Sequence, residues 1–379
     1  MQQVRGISGV AGGVTTFGNG DLSQSTPTRH SRMSAPDSSR ARLQWNATKG
    51  IHYTYPQAAI NFVGIHPGSI LNRQGGSILN RRRHTWSKGS MNDKLLFLRH
   101  VLGAYASRQP ATCPYCDASE STLVGTRRLI MQLRRCGNCG LMFRYPKDTP
   151  EFNADYYQSE YHEGMTTAYP DLPTLDAWKK VDFRGTPMDY SEKVSLVRAV
   201  KPEGRLLDFG ASSGYVTLQF QRAGFDALGF ELSRPRARYA REHVGVNVLE
   251  DFAALDNLAG TFDIVFSSHV IEHIPTPRAV FDRFRRMLKP GGTLISFVPN
   301  CGGADARKLG AQWGPMMGMR HCLSIDKPFI QYALPRHGLS SLWFDSPPYD
   351  IPSISKRSSK CDGQTDPAGH ELLFCATAT

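Results

Sequence analysis

The sequence predicts an α/β protein with a doubly wound, mostly parallel sheet of seven strands, preceded by a small cysteine-rich module. Two observations lead to this fold class. Between residues 203 and 300, short apolar segments alternate with amphipathic segments, as strands and helices do in a doubly wound sheet. Ahead of them, two Cys-x-x-Cys pairs are separated by 19 residues, which indicates a separate small unit.

The first 90 residues differ in charge from the rest of the 379-residue chain. They hold 11 Lys and Arg but only 2 Asp and Glu, and so account for +9 of the net charge of +12. A strongly basic chain suggests a nucleic-acid partner. Because the remaining residues carry only +3, the charge balance argues against nucleic acid as the main partner without excluding it.

We interpret residues 1–90 as a disordered or non-native extension, because they show no sustained helical or strand periodicity. Two other interpretations stay open. The Arg- and Ser-rich, acid-poor composition also fits an organellar transit peptide. If translation begins at Met91, where the composition changes, the segment is not part of the protein at all.

Three further regions follow. Residues 91–150 contain a short amphipathic helix and the cysteine module. Residues 151–200 form a Tyr-rich connector that ends in a helix over residues 186–200. Residues 201–379 hold the main domain.

Four of the eight cysteines form the pattern Cys-x2-Cys-x19-Cys-x2-Cys. This spacing is typical of tetrahedral zinc, and four thiolates leave no open coordination position, so the sequence predicts a structural zinc ribbon. The predicted ligands are Cys113, Cys116, Cys136 and Cys139. Unmetallated thiols or a redox pair are the alternative. A metal site fits a reducing compartment, and no apolar run is long enough to span a bilayer, so we expect a cytoplasmic protein.

Seven segments have the length and apolar content of strands. They are Arg205–Phe209, Ala227–Glu231, Val246–Leu249, Asp263–Ser267, Thr293–Val298, Leu339–Phe344 and Glu371–Ala376. Helices are predicted over Tyr215–Ala223 and Pro277–Leu288, and the Pro-Gly-Gly at 290–292 is expected to break the chain before the fifth strand. Right-handed crossovers bring the carboxyl ends of the parallel strands to one edge, the usual ligand site of a Rossmann-like sheet.

The first strand of the main domain leads into a glycine-bearing turn that spans Asp208 to Gly214. Gly210 and Gly214 permit a tight turn and close approach of the backbone to a ligand, although Ser212 stands where a dinucleotide motif has its middle glycine. Glu231 ends the next strand, where an acid accepts hydrogen bonds from ribose hydroxyls. Two acids beside the pocket suit the ammonium and sulfonium groups of S-adenosylmethionine (SAM) better than a pyrophosphate.

Four segments, in order, extend this interpretation: LLDFGASSG, GFELS, FDIVFSSHVIEHIPTP and LKPGGTLISFVPN. In the sequence, order and spacing of these motifs, residues 203–300 resemble the class I SAM-dependent methyltransferases, in particular the group of ubiquinone-pathway and sugar methyltransferases. The resemblance implies that the methionine side of SAM is lined by Asp208, Gly210, Ala211, Ser212 and Gly214. It also implies that Glu231 binds the ribose and that Asp251 lies near the adenine.

The cysteine module, with the FRYP and YYQSEYHEG segments after it, resembles a zinc-ribbon extension in front of some bacterial methyltransferases. That resemblance implies a sugar or another small molecule as the methyl acceptor. Zinc ribbons also bind nucleic acids, and four basic residues lie between or beside the knuckles: Arg127, Arg128, Arg134 and Arg135. A solvated surface is the alternative explanation for these arginines.

A His269-Val-Ile-Glu272-His273 segment follows the fourth strand, and His321 lies downstream. The H-x-x-E-H pattern also occurs in zinc proteases, but there it lies inside a long helix, whereas Pro275 follows at once here. In the resembled family this strand end borders the acceptor pocket. His269, His273 or His321 is therefore a candidate general base for a hydroxyl acceptor.

A metal site is the second interpretation of these histidines. Some similar O-methyltransferases hold a divalent metal with a Glu-x-x-Glu-His motif and a later histidine, which implies a ligand set of His269, Glu272, His273 and His321 here. The chain departs from that motif, because His269 stands in place of the first glutamate. Local packing and hydrogen bonding of the histidines is the third interpretation.

Together these features predict a SAM-dependent methyltransferase that acts on a small-molecule acceptor, a sugar or a metabolite, at oxygen. Methyl transfer is an in-line displacement, so alignment of the acceptor with the methyl group supplies most of the rate. Two alternatives remain. One is an RNA methyltransferase that uses the zinc ribbon for RNA contact, and the other is a catalytically silent SAM-fold or zinc-ribbon binding module.

Overall fold

The computed structural model describes residues 89–159, 169–358 and 367–379. Most of residues 1–90 and the second half of the YYQSEYHEG segment lie outside the described residues, and so do the predictions made for them. Among the residues that are described, no helix has both the length and the apolar character needed to cross a membrane.

Strands and helices alternate through the main part of the chain. The strands are β1 (Ser121–Arg127), β2 (Met131–Cys136), β3 (Met142–Tyr145), β4 (Arg205–Phe209), β5 (Asp226–Phe230), β6 (Val248–Leu249), β7 (Phe262–Ser268), β8 (Leu288–Pro299), β9 (Leu323–Ser324), β10 (Leu339–Asp345) and β11 (Glu371–Ala378). The helices are α1 (Gly89–Ala106), α2 (Pro150–Ser159), α3 (Leu172–Lys180), α4 (Ser191–Val200), α5 (Tyr215–Arg222), α6 (Arg234–Tyr239), α7 (Phe252–Asp256), α8 (Pro277–Met287), α9 (Ala304–Leu309), α10 (Lys327–Ala333) and α11 (Ile351–Ser358).

The large sheet has seven strands in the order β10-β11-β8-β7-β4-β5-β6. The strands from β8 to β6 are parallel, while β11 pairs antiparallel with both β8 and β10. The predicted doubly wound, mostly parallel sheet is therefore confirmed. The two strands predicted near the end of the chain complete it at one side.

Both faces of this sheet are covered, because its central strands are apolar at successive positions. In β4, Leu206 packs in one apolar cluster with Val197 of α4 and Ile354 of α11. Leu207, the next residue, packs on the opposite face with Phe284 of α8. Helix α8 presents its buried side chains at helical spacing, with Val280, Phe281, Phe284 and Met287 on one side.

The small sheet holds the cysteine module and has the order β1-β2-β3-β9. Its first three strands form an antiparallel meander that follows α1. The fourth strand, β9, comes from the main domain and pairs antiparallel with β3, so that Phe143 faces Leu323. The module predicted at 91–150 thus shares a sheet with a segment that lies about 180 residues further along the chain, a connection that the sequence does not predict.

The Pro-Gly-Gly segment differs from its prediction. Strand β8 begins at Leu288 and continues to Pro299 instead of starting at Thr293. Its register against β7 shifts between the Phe262–Leu288 and Ile264–Thr293 pairs. The segment forms a bulge instead of a break, since Gly291 takes a positive φ of +72° within an otherwise extended path.

Gly214 offers a stability test of this packing. A Cβ atom at Gly214 would lie 2.6 Å from Val246 Cγ2 and 2.9 Å from Ala240 Cβ, and φ is +78°. We expect Gly214→Ala to lower the free energy of unfolding by about 2–4 kcal/mol, through left-handed strain plus overlap. Gly224→Ala is the matched control, because Gly224 has a φ of +96° but nothing within 4 Å, and we expect a loss of about 1–2 kcal/mol. Urea unfolding measures both variants, and equal losses would contradict the packing argument.

Candidate functional site

The carboxyl ends of β4, β5 and β7 lie side by side at the centre of the large sheet. Asp208, near the end of β4, faces Gly229 of β5 on one side and Phe266 of β7 on the other. The strand order reverses between β4 and β7, and ligands bind at such a switch point in open parallel sheets. The polar residues that follow these three strands therefore share one edge.

Backbone hydrogen bonds to β5 hold the turn after β4. Gly210 N and Ala211 N both donate to Phe230 O, at 2.8 and 2.9 Å. Gly210 has a φ of +88°, and a Cβ atom there would lie 2.3 Å from Val270 Cγ2. Glycine is therefore required at 210 both for the turn and for the close packing of the segment that follows β7.

Ser212 also adopts a left-handed conformation, with a φ of +50°, in the place where the dinucleotide motif has a glycine. Its N–H donates to Glu231 Oε2 at 2.9 Å, and its hydroxyl accepts a hydrogen bond from the buried Arg236 at 3.0 Å. These two contacts stabilise a conformation that a serine adopts less readily than a glycine. The departure from the glycine pattern is thus compensated locally.

Glu231 is buried directly after β5, and both of its carboxylate oxygens accept hydrogen bonds. Oε2 accepts from Ser212 N, and Oε1 accepts from Ser233 N at 2.8 Å. Burial raises the pKa of Glu231, while the two backbone hydrogen bonds and the charge of Arg236 oppose that shift. Since each carboxylate oxygen has a second lone pair, both can still accept a hydroxyl donor.

Asp208 is almost completely buried beneath this turn, and Thr217 of α5 donates its hydroxyl to Asp208 Oδ2 at 2.5 Å. Burial raises the pKa of Asp208 to about 7, although the hydrogen bond from Thr217 opposes the shift. Asp251 differs in that it is exposed. It caps α7, and its Oδ1 accepts from Ala254 N at 2.7 Å.

His269 follows β7 in a left-handed conformation, with a φ of +55°. Its Nε2 lies 2.6 Å from Glu371 Oε2 and its Nδ1 lies 3.3 Å from Glu272 Oε1. Burial lowers the pKa of His269, but the contacts with Glu272 and Glu371 outweigh burial and raise the pKa to about 9. At neutral pH this ring is therefore an imidazolium between two carboxylates.

Glu371 anchors a second set of polar contacts on the same edge. Lys193 Nζ donates to Glu371 Oε2 at 2.7 Å and to Ser268 Oγ at 2.8 Å, and the Tyr349 hydroxyl donates to Glu371 Oε1 at 3.0 Å. Burial raises the pKa of Glu371, but Lys193 and His269 outweigh it and keep the carboxyl ionised.

Glu272, His273 and His321 form a compact cluster beside His269. One ligand atom from each lies within 4.8 Å of the others. Glu272 is 1% exposed, and among the described residues neither of its oxygens has a hydrogen-bond partner with good geometry. Burial raises its pKa, but His269, His273 and His321 outweigh that effect and lower it to about 2. A buried, ionised carboxylate thus faces two imidazoles.

Both imidazoles are oriented by backbone carbonyls. His273 Nδ1 lies 3.0 Å from Arg320 O, and His321 Nδ1 lies 2.6 Å from Pro315 O. Because a carbonyl only accepts, each Nδ1 carries the proton and each Nε2 keeps its lone pair. Burial, followed by repulsion between the protonated forms of the two rings, lowers the pKa of His273 to about 4, and burial also lowers the pKa of His321. Both rings are neutral, the form that binds metals or accepts protons.

The two Cys-x-x-Cys turns (the knuckles, residues 113–116 and 136–139) bring the four predicted zinc ligands together. Cys113 Sγ lies 3.5 Å from Cys139 Sγ, Cys116 Sγ lies 3.5 Å from Cys136 Sγ, and all four sulfurs lie within 4.8 Å of one another. The N–H groups of Tyr115 and Asn138 point to Cys113 Sγ and Cys136 Sγ. Sulfurs about 2.3 Å from a tetrahedral zinc stand roughly 3.8 Å apart, so these positions fit the ion. The predicted four-cysteine ribbon is confirmed.

The ribbon arginines are largely committed to contacts within the protein. Arg127 donates to Met317 O, Arg134 donates to Ser121 Oγ and to Gln132 Oε1, and Arg135 contacts Asp326 at 3.3 Å. Arg128, by contrast, is exposed. Three of these four arginines are therefore engaged within the described part of the protein, which argues against a continuous free basic surface at this point.

The comparisons with known proteins agree with this geometry. Residues 186–342 match the family model described as "Methyltransferase domain". Residues 186–342 are therefore similar to a methyltransferase domain. Its similarity to individual proteins is partial. It is 34% identical over 98 residues to the ubiquinone biosynthesis O-methyltransferase of Methylococcus capsulatus, which covers 24% of the chain and 41% of that protein.

A second relative matches over a longer stretch than the first. The ubiquinone biosynthesis O-methyltransferase of Xanthomonas axonopodis pv. citri is 34% identical over 156 residues, which are 38% of the chain and 64% of that protein. The chain thus spans less than two thirds of these relatives. A solved Thermotoga maritima SAM-dependent methyltransferase is 17% identical with a TM-score of 0.38, covering 55% of this chain and 96% of that one. The strand order, not this likeness, establishes the fold.

Four residues of the site were not anticipated from the sequence: Lys193, Arg236, Tyr349 and Glu371. For Glu371, its position at the start of a predicted strand could have indicated that it belongs to the site. It opens the predicted last strand of the large sheet, and the start of an antiparallel strand lies at the same edge as the carboxyl end of the neighbouring strand β8. Lys193 and Arg236 lie on helices whose packing no local pattern specifies.

The raised pKa of Asp208 predicts a pH-dependent stability in the absence of ligand. Its folded-state pKa of about 7 exceeds the unfolded value of about 3.9, so its contribution to stability is complete below about pH 4 and is lost as the pH rises towards 7. We expect the free energy of unfolding, relative to Asp208→Asn, to fall by about 2 kcal/mol between pH 5 and pH 7. Urea unfolding at both pH values measures the difference. A constant or rising difference would show that Asp208 is not held protonated.

Proposed function

We propose that the chain transfers the methyl group of SAM to a hydroxyl oxygen of a small-molecule acceptor. The observation that carries this proposal is the common edge on which two features meet. One is the adenosine-type subsite of the Asp208–Gly214 turn and Glu231. The other is the buried cluster of Glu272, His273 and His321, which lies after the neighbouring strand.

The residues of the turn fit SAM. Glu231 has free acceptor capacity on both oxygens for the ribose hydroxyls. Asp208 supplies a buried carboxylate on the side where the resemblance puts the methionine ammonium. Asp251 lies two residues beyond β6, the strand next to β5, in a place suited to the adenine. When bound, SAM supplies an electrophilic methyl group, and these residues hold it in place.

The acceptor side needs a group that lowers the cost of removing the hydroxyl proton. His269 is unsuited to the role of base, because its raised pKa keeps it protonated at neutral pH. His273 and His321 are neutral, and each has its Nε2 lone pair available. Either can take the acceptor proton at Nε2, while its Nδ1–H stays on a backbone carbonyl.

As the alternative to proton acceptance, the same three side chains fit a divalent metal, which would occupy the Nε2 lone pairs of both histidines. Two neutral imidazoles are each oriented through Nδ1 by a carbonyl, and the buried Glu272 carboxylate has no hydrogen bond of good geometry among the described residues. Together they make the ligand set that such ions prefer. A divalent ion held by Glu272, His273 and His321 supplies Lewis-acid stabilisation of an acceptor oxygen. His269 lies outside the set, since both its nitrogens face carboxylates.

The relatives support a small-molecule acceptor. Two of them are named for ubiquinone biosynthesis and O-methylation, which favours a hydroxylated small molecule over RNA. The engaged ribbon arginines support the same choice. The four cysteines would hold a structural zinc, since a four-cysteine site leaves no open coordination position for a substrate.

Glu231 provides the test of the SAM subsite. We expect Glu231→Gln to weaken SAM binding by about 10–100-fold, because hydrogen bonds to a charged group are worth about 1.5–3 kcal/mol. Titration calorimetry on the full chain measures it. Glu242→Gln is the control, because Glu242 is exposed and pairs only locally with Arg238, and should change the affinity by less than about 2-fold. Unaltered binding by Glu231→Gln would remove Glu231 from the pocket.

The ribbon is tested by metal analysis. We expect the purified chain to contain about one zinc per molecule and Cys136→Ser to lose most of it, because a structural site requires all four ligands. Cys375→Ser should keep its zinc, since Cys375 is buried in β11 away from the knuckles. Absence of zinc from the wild-type chain, or full retention by Cys136→Ser, would contradict the assignment.

Activity is tested with radiolabelled SAM and three acceptor classes: hydroxylated aromatic compounds, sugars and RNA. We expect label in a small molecule at oxygen, identified by mass spectrometry, and a loss of at least about 100-fold in kcat/KM in Glu272→Gln. Glu250→Gln serves as control, because Glu250 pairs with Arg241 at the exposed surface. Label in RNA alone, or full activity in Glu272→Gln, would overturn the proposal.

A further inference from the structure

The cysteine module contacts the chain segment that carries His321. Strand β3 pairs with β9, which begins two residues after His321. The ladder extends towards the histidine, because Arg144 N donates to Cys322 O at 2.9 Å. The backbone of the ribbon is thus hydrogen-bonded to the residue next to His321.

The side chain of Arg144 makes the stronger connection. It is 1% exposed, and its Nη1 donates to Gly318 O at 2.7 Å and to Met319 O at 3.0 Å. Its charge is compensated by an ion pair with the buried Asp148. A fixed, planar guanidinium can bind two carbonyls and a carboxylate at the same time, which a lysine ammonium on a flexible stem does poorly.

Residues 315–322, which Arg144 contacts, also make hydrogen bonds to the cluster of Glu272, His273 and His321. Arg320 O is the partner of His273 Nδ1, and Pro315 O is the partner of His321 Nδ1. Cys322 N donates to Glu272 O at 3.0 Å. Residues 315–322 therefore orient both histidines and the backbone of Glu272, and Arg144 binds the middle of this segment.

We propose that Arg144 is a positioning residue, through which the cysteine module orders residues 315–322 and so assembles the Glu272–His273–His321 cluster. The SAM subsite does not depend on this contact, because its turn is held by β5 and Arg236. The inference rests on the proposed function for the identity of the cluster. It gives the ribbon a role in building the proposed acceptor side.

The test compares Arg144→Lys with Arg278→Met in the full chain. Arg278 also joins the ribbon to the main domain, since its Nε donates to Tyr115 O at 3.0 Å, but that contact lies away from residues 315–322. Three properties are measured: S-adenosylhomocysteine affinity by calorimetry, Mn²⁺ affinity by electron paramagnetic resonance, and the Nδ1–H signals of His273 and His321 by NMR of ¹⁵N-histidine-labelled protein.

We expect Arg144→Lys to keep S-adenosylhomocysteine affinity within about 2-fold, to lose at least about 10-fold in Mn²⁺ affinity, and to lose the two protected Nδ1–H signals. Arg278→Met should leave all three unchanged. Wild-type Mn²⁺ affinity with intact signals in Arg144→Lys would overturn the proposal. So would an equal loss of nucleoside affinity, because that result indicates general destabilisation.

The NMR measurement separates this inference from the metal hypothesis. If the wild-type chain binds no Mn²⁺, the metal site fails, while loss of the Nδ1–H signals in Arg144→Lys still supports positioning by Arg144. If Arg144→Lys does not fold, the same measurements are made on Asp148→Asn. This variant keeps the Arg144 guanidinium but removes the negative charge that pairs with it. We then expect weaker signals and weaker Mn²⁺ binding, and unchanged values would overturn the proposal.

Discussion

The parallel pairing of β4 with β5 and β7 is the constraint on which the rest of the site depends. Three buried strands that run in the same direction end at one edge, so the residues after them are neighbours whatever their separation in the chain. The turn after β4 bonds to β5, and the segment after β7 packs on Gly210. A disturbance of either contact therefore reaches both the proposed SAM subsite and the proposed acceptor side.

Several buried carboxylates lie at this edge of the large sheet. Whether a positive charge within the protein compensates each one is the basis for the proposed positions of SAM and of a metal ion. Glu371 is neutralised by Lys193 and His269 within the protein. Glu231 is held by backbone donors, and Asp208 is neutral below about pH 7 because burial raises its pKa. Glu272 stays ionised without a good hydrogen bond. Burying a carboxylate is costly unless a cation compensates it, and a cationic cosubstrate beside Asp208 and a metal ion beside Glu272 would each do so.

Much of the fold and of the site could be predicted, because short segments of the sequence are sufficient to indicate it. Each strand of the large sheet has its own apolar run, the Asp208–Gly214 turn has its glycines, and Cys113 to Cys139 have metal-ligand spacing. The rest depends on contacts between distant residues. Strand β9 has only two residues, which is too short for a sequence pattern, and it is recognisable as a strand only because it pairs with β3. The charge on His269 depends on Glu371, which lies 102 positions further along the chain, and Arg144 acts on carbonyls 174 and 175 positions away.

The measurement that tests the central claim most directly is a crystal structure of the full chain with S-adenosylhomocysteine. We predict that the ribose hydroxyls lie within hydrogen-bond distance of both Glu231 oxygens, and that the thioether sulfur faces the side of the edge that holds His269 and Glu272. A nucleoside bound elsewhere on the chain, or one whose sulfur points away from that side, would contradict methyl transfer at this edge.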